Sequence, residues 1–280
     1  MPEQPNSTAA TSLIRHEPGV RVIRNINWAG MGALYMKEVR RFMKVQLQTV
    51  WAPAITTLLY LVIFTLALGR GGLKVLGVPF SDFVAPGLIM MAMIQNAFQN
   101  ASFSLLVGKM QGTIVDFLMP PVSAGELLMA LVASSMTRAV MVGAAIWLVM
   151  LFWPGVHVMP VHLWAVIWFG LMGSALLSFI GILTSIWAEK FDHAAAIANF
   201  VVAPASLLSG TFYSIDRLAP LFQGISRANP FFYAISGFRY GFLSAADSHV
   251  MTGAIGLLAL NAVLAFACYR ALAKGWKIKA

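Results

Sequence analysis

The side chains that could carry out bond chemistry are few and widely separated. The histidines are His16, His157, His162, His193 and His249, and no two of them stand at ligand spacing on a common helix. Each falls near a polar end, in an outer loop or at a membrane turn, where a plain surface histidine is the simplest expectation. The single cysteine, Cys268, sits in an apolar run, which rules out an intramolecular disulfide or a cysteine-based metal cluster. Gly108-Lys109 is superficially like the end of a nucleotide loop. Met110 follows where Ser or Thr is required, however, and Phe103 occupies the place of the first glycine. The pattern predicts a chain that is not an enzyme and that binds no metal or cofactor of its own.

The distinctive polar groups lie instead inside apolar stretches. Gln95, Asn96, Gln99 and Asn100 stack at i and i+4, so a helix there would carry one polar strip that is costly against lipid. Two uses are open to such a strip: hydrogen bonding between helices, or contact with the polar part of a transported cargo. Arg138 lies well within the next apolar stretch. It must face protein or water and find a partner, or reach back to the cytoplasmic interface.

Positioning these groups is a task for a membrane protein. Of 280 residues, 59% are hydrophobic and 10% charged, with a mean hydropathy of +0.79, which leaves too few polar side chains to cover a soluble globule. The net charge of +9 is not gathered into a patch interleaved with stacking aromatics, so nucleic acid is not an expected partner. The basic residues sit beside apolar spans and point to lipid headgroups and topology.

The chain divides into three parts. Residues 1–26 are expected to form a disordered cytoplasmic tail, since Met1 to Gly19 is rich in Ser, Thr, Pro, Gln and Glu and lacks the apolar core of a signal peptide. Residues 27–47 read as an amphipathic interface helix. Trp28, Met31, Tyr35, Val39, Phe42 and Met43 share a face suited to the acyl boundary, opposite Lys37, Arg40, Arg41 and Lys44. Residues 48–280 are expected to hold six spans, at about Trp51–Leu68, Phe83–Val107, Leu127–Trp153, Trp164–Trp187, Ala194–Tyr213 and Gly253–Leu272. Residues Ser214 to Tyr240 fit two short helices broken at Asn229-Pro230 that dip into the outer leaflet and return. With the N-terminus inside, 13 of the Lys and Arg residues are cytoplasmic and 5 are outside, which predicts both termini in the cytoplasm.

One stretch between the second and third spans is unlike either. Thr113 to Met119 can form a short amphipathic helix in which Ile114, Phe117 and Leu118 share a face away from Asp116. Pro120-Pro121 ends it. Such a helix is suited to pressing on a soluble partner; an ordinary connecting loop is the plainer alternative.

The run Gly112-Thr113-Ile114 through Pro120-Pro121-Val122-Ser123, followed by Glu126-Leu127-Leu128, resembles the cytoplasmic coupling segment of type-2 ABC exporter permeases. Phe83 to Leu88, Leu208 to Tyr213, Asn229 to Ile235 and Arg239 match further motifs in the family's order. The resemblance implies an all-α integral membrane protein with six transmembrane helices, an N-terminal amphipathic interface helix and an outer re-entrant hairpin between helices five and six. It implies a permease subunit in the bacterial inner membrane, paired with a second copy of itself, in contact with membrane lipids and served by two copies of a separate ABC ATPase. ATP and Mg would be held by that partner, and nothing would be bound by this chain. Gly112, Thr113, Ile114, Asp116, Phe117, Leu118, Pro120 and Pro121 would dock the ATPase. The family handles lipids, lipid-linked saccharides, polysaccharides and drugs, and an amphipathic cargo suits the aromatic hairpin. We expect its path to be lined by Gln95, Asn96, Gln99, Asn100 and Arg138, with Phe231, Phe232 and Tyr233 receiving the apolar part. A secondary transporter or channel without an ATPase is the alternative. It would need an acid within a span, whereas Asp82, Asp116, Glu126, Glu189, Asp192, Asp216 and Asp247 fall at or beyond span ends, and no internal repeat is evident. A lipid-modifying membrane enzyme lacks any catalytic constellation.

Overall fold

In a computed structural model, residues 26–68, 74–118, 121–153 and 155–275 are described. Nearly all of the tail, the polar end of the first predicted span at Gly69 to Gly72, the coupling residue Pro120, Pro154, and Lys277 and Lys279 lie outside them.

One long helix organises the rest. α3, residues Phe80–Met110, has 31 residues, about 46 Å of rise against a hydrocarbon core of about 30 Å. It is buried almost without interruption from Phe80 to Ile94, because it is enclosed by three others: α5 (Ala124–Leu151), α6 (Leu163–Trp187) and α10 (Pro230–Leu243). Phe83, Leu88, Met90, Ile94 and Phe98 fill the space between them. α2 (Ala52–Leu68) and α11 (Val250–Lys274) pack on the outside of this group and leave Ile55, Leu59, Ile63, Met251, Ile255 and Phe266 exposed.

Among the described residues, four helices are long and apolar enough to cross a membrane: Leu47–Ala67, Ala124–Leu151, Leu163–Trp187 and Val250–Lys274. The second predicted span, α3, has the length but carries its amides mid-helix. The fifth is a shorter apolar helix, Phe191–Leu207, built from α7 (Phe191–Ile197), a π turn and α8 (Ala203–Leu207). π turns occur at Leu47–Trp51 and Ala198–Val202, each closing two residues before a proline, Pro53 and Pro204. A proline cannot donate to the carbonyl four residues back, and its ring crowds that carbonyl; a widened turn takes up both.

The expected all-α class holds apart from one small hairpin. Lys74–Val75 pairs antiparallel with Val78–Pro79 around Leu76 and Gly77, both at positive φ, as a two-residue primed turn requires.

The residues read as an interface helix do form a helix, α1, Trp28–Met43, but its buried stripe is not the predicted one. Leu34, Glu38 and Phe42 face inward, while Trp28 is 68% exposed and Met36 is also exposed. The stripe packs on α5 rather than meeting only an acyl boundary, and a carboxylate can sit in it because Arg41 and Ser104 satisfy that charge. At the other end, α9 (Pro220–Ala228) and α10 break at Asn229, as the Asn-Pro pair predicts. The Asn229 side chain accepts from the Phe231 amide and donates to the Ala205 carbonyl and Ser209 Oγ at 2.7 and 2.9 Å. The cap of α10 is thereby tied to α8 and the turn just beyond it.

Candidate functional site

The predicted coupling segment holds a short surface helix, and among its described side chains Phe117 is buried. α3 ends at Met110, Gly112 turns the chain at φ +69°, and α4 spans Val115–Leu118. A left-handed φ of this kind favours glycine. Phe117 is turned inward: a Cβ built on Gly108 would lie 3.3 Å from its ring, and Lys37 Nζ sits 4.0 Å from the ring centroid on the other side. Gly112, Thr113, Val115 and Asp116 are exposed, and Ile114 is half-buried. Thr113 and Asp116 border a groove whose opposite wall is α1, with Lys37, Arg40, Arg41 and Lys44 along it. Such a groove presents cations around the exposed Asp116 carboxylate, with the buried Glu38 also in its lining, a surface for an acidic or mixed-charge partner.

The next helix begins with a double clamp. Ser123 caps α5 in a capping box with Glu126. The same Glu126 carboxylate accepts from the amides of Ser123 at 2.7 Å and Asn27 at 2.6 Å, and Asn27 Nδ2 donates to the Pro121 carbonyl at 3.1 Å. Since Asn27 is also the N-cap of α1, the starts of α1 and α5 and the end of the coupling segment form one unit.

The predicted polar strip divides. Asn96 and Asn100 are buried, Gln95 is half-buried and Gln99 is exposed. The inward row continues down α3 at every fourth residue. Asn96 Oδ1 accepts from Arg138 Nη2 at 3.0 Å, and Asn100 Nδ2 donates to Ser135 Oγ at 3.1 Å; both partners lie on α5. Arg41 of α1 donates to the Asn100 carbonyl and side chain at 3.3 Å, and Ser104 Oγ donates to Glu38 Oε2 at 2.7 Å. Glu38 Oε2 also pairs with Arg41 at 2.8 Å and is 1% exposed. Gly108, one step further, receives Phe117. Arg138 therefore faces protein, with its Nε lacking a hydrogen bond among the described residues. Sequence reasoning missed Glu38, although its place between Leu34 and Phe42 in an apolar i, i+4 row was the available signal.

The outer motifs converge on a second buried charge. Arg239, wholly buried, donates through Nη2 to the carbonyls of Gly210 and Thr211, through Nε to that of Phe83, and through Nη1 to Asp247 Oδ2 at 2.8 Å. Its guanidinium lies 3.9 Å from the Phe83 ring centroid. At Gly87 a Cβ would meet Arg239 Nη2 at 2.9 Å, so the glycine is required by close approach. Phe231 and Phe232 are buried in the core, and the Tyr233 hydroxyl donates to the Arg227 carbonyl.

The remaining candidates resolve into supports. Lys109 Nζ donates to the carbonyls of Ser185, Ile186 and Ala188 at 3.1, 2.8 and 2.7 Å, closing the C-terminal end of α6. His162 stacks on Tyr240, and the Trp187 and His193 rings meet at a tilt, 5.4 Å between centroids. Among the described residues, no three His, Cys, Asp or Glu side chains gather as metal ligands.

Comparison with known proteins accounts for this arrangement. A family model described as ABC-2 type transporter matches residues 30–243. The inner membrane transport permease YadH of Escherichia coli (strain K12) is 35% identical over 229 residues, covering 81% of this chain and 88% of that one. Nodulation protein J of Rhizobium meliloti (strain 1021) is 26% identical over 243 residues, 86% of this chain and 90% of its own. That of Neorhizobium galegae is 24% identical over 250 residues, again 86% and 90%. From its spans, coupling segment and outer motifs to these matches, the chain belongs to the ABC-2 type transporter family, as a membrane permease.

Proposed function

We propose that this chain is the membrane subunit of an ATP-driven exporter of the inner membrane, working as a pair with two copies of a separate ATPase that hold the ATP and Mg. Each copy would cross six times, with α3 and the Phe191–Leu207 segment as the two spans beyond the four apolar ones, and with α9 and α10 as a hairpin entering the outer leaflet. The feature that carries the reading is the coupling helix, seated by Phe117 and presenting Val115 and Asp116 beside a basic groove. Gly112, Thr113, Ile114, Leu118, Pro120 and Pro121 complete the docking segment by family resemblance.

The cargo would be amphipathic or lipid-linked. Gln99, exposed in mid-helix on α3, is the strip residue best placed to meet a cargo or the second copy, since exposure to hydrocarbon would be costly. Both termini would be cytoplasmic, as the Lys and Arg bias requires. A cysteine at Ser123, in a chain carrying Cys268→Ala, should then resist an impermeant thiol reagent in intact cells.

Purification from the native cell in mild detergent should bring down an ATPase with the permease. Asp116→Lys should leave the permease inserted and reduce that capture about tenfold, the scale of one lost interfacial charge contact. A permease recovered without an ATPase, or equal capture by Asp116→Lys, would remove the docking model and favour a gradient-driven transporter.

A further inference from the structure

The coupling helix is joined to α3 by a short turn. Gly112 stands in it at φ +69° with no atom near its missing Cβ, so no packing braces the turn at that point. The side-chain link is different: a push on α4 falls on the Phe117 ring, and that ring rests on Gly108 of α3 and Lys37 of α1. The residue after Lys37 is Glu38, whose buried carboxylate binds α3 at Ser104 and holds Arg41, and Arg41 reaches Asn100. Asn100 then holds Ser135 of α5. α1 is also fastened to α5 directly, by Asn27 to Glu126 and by the Tyr35 hydroxyl to Thr137 Oγ1 at 2.9 Å.

We infer that Glu38 is a positioning residue for coupling: its carboxylate converts displacement of the coupling segment into displacement of α3 and α5. The inference rests on the ATP-driven reading above. A buried carboxylate suits the task because its two charge-assisted bonds are short, directional and expensive to leave unmade, so α1 and α3 move together rather than slip. Its neighbours confine the charge to this role, since Arg41 is its ion-pair partner and Lys37 is engaged with Phe117.

The test uses the complex of permease and co-purified ATPase in lipid nanodiscs. Cys268→Ala removes the native thiol, and Met159→Cys, in an exposed outer-loop position, takes a nitroxide. The distance between the two labels of the permease pair is measured with and without ATP and vanadate. The parent complex should show a shift on trapping. Glu38→Gln and, separately, Ser104→Ala should keep ATP turnover within about twofold of the parent and lose the shift, as a break in coupling rather than in catalysis requires. A purely structural role predicts a lowered melting midpoint with the shift retained in the surviving complex. A full shift in both variants therefore overturns the inference. Should Glu38→Gln fail to accumulate, Ser104→Ala decides, because it removes one hydroxyl and leaves the Glu38–Arg41 pair intact. A parent complex that shows no shift removes the ATP-driven reading itself and this inference with it, an outcome distinct from a parent shift that survives both substitutions.

Discussion

The two ends of the molecule each pair an arginine with a carboxylate, yet they use the pair differently. At the end near α10 Arg239 is fully enclosed and is held by three backbone carbonyls in addition to Asp247. At the end near α1 Arg41 is partly exposed, and Glu38 binds it together with a serine hydroxyl. Backbone carbonyls cannot change rotamer, so the Arg239 cluster fixes one arrangement of α3, α10 and the segments before and after α10. Side-chain partners can re-pair, so the Glu38 cluster can hold α1 to α3 and still allow a second arrangement. The contrast separates an anchor from a transmission.

Breaking the anchor should have the largest effect. Arg239→Met strands Asp247 and several carbonyls, and loss of one partner of a buried pair costs about 3–5 kcal/mol. Little folded permease should then be recovered on size-exclusion chromatography. Adding Asp247→Asn should restore part of the yield, and normal recovery of the single variant would contradict the anchor.

Phe117→Ala probes the other end. Removing the ring forfeits roughly 1.5–3 kcal/mol of burial and about 0.5–1 kcal/mol from Lys37, but the loss is confined to a short surface helix. The melting midpoint of the permease should therefore change little while ATPase capture falls. A large drop in the midpoint would instead place Phe117 among the anchors.

The smallest effect separates the two faces of α3. Asn96→Leu removes the hydrogen-bond partner that Arg138 has on α3 and should cost about 0.6–1.7 kcal/mol, the range for polar contacts between membrane helices. Gln99→Leu should leave thermal stability unchanged and, if Gln99 meets cargo, alter cargo-stimulated ATP turnover. Equal destabilisation by both would mean that the strip is bonding material throughout.

What could be read from sequence follows from this difference in kind. Apolar length fixed four spans, Pro120-Pro121 and the flanking glycine marked the coupling segment, and Asn229-Pro230 marked the outer break. Periodicity placed Ile114 and Phe117 on one face but could not say what covers that face; the answer, Gly108 and Lys37, lies on two other elements. The amide strip was visible, and its division was not, because only the packing of α5 and α1 distinguishes Asn96 and Asn100 from Gln95 and Gln99. Arg239 was legible as part of an outer motif and Glu38 was missed; their partners are 156 and 66 residues away in Phe83 and Ser104.

The π turns before Pro53 and Pro204 give the molecule a mechanical grain. The bar formed by α3 and α6, pinned where Lys109 closes three carbonyls, carries Pro86 near the start of α3 but no π turn. The two flanking members each carry a loosened turn, at Leu47–Trp51 and Ala198–Val202. A load arriving through α1 meets the first of these before it reaches the body of α2, so the flanks should yield while the bar keeps its shape. Amide exchange at the two turns faster than in the helix immediately beyond each would register that compliance, and uniform protection along both helices would show them to be as stiff as the bar.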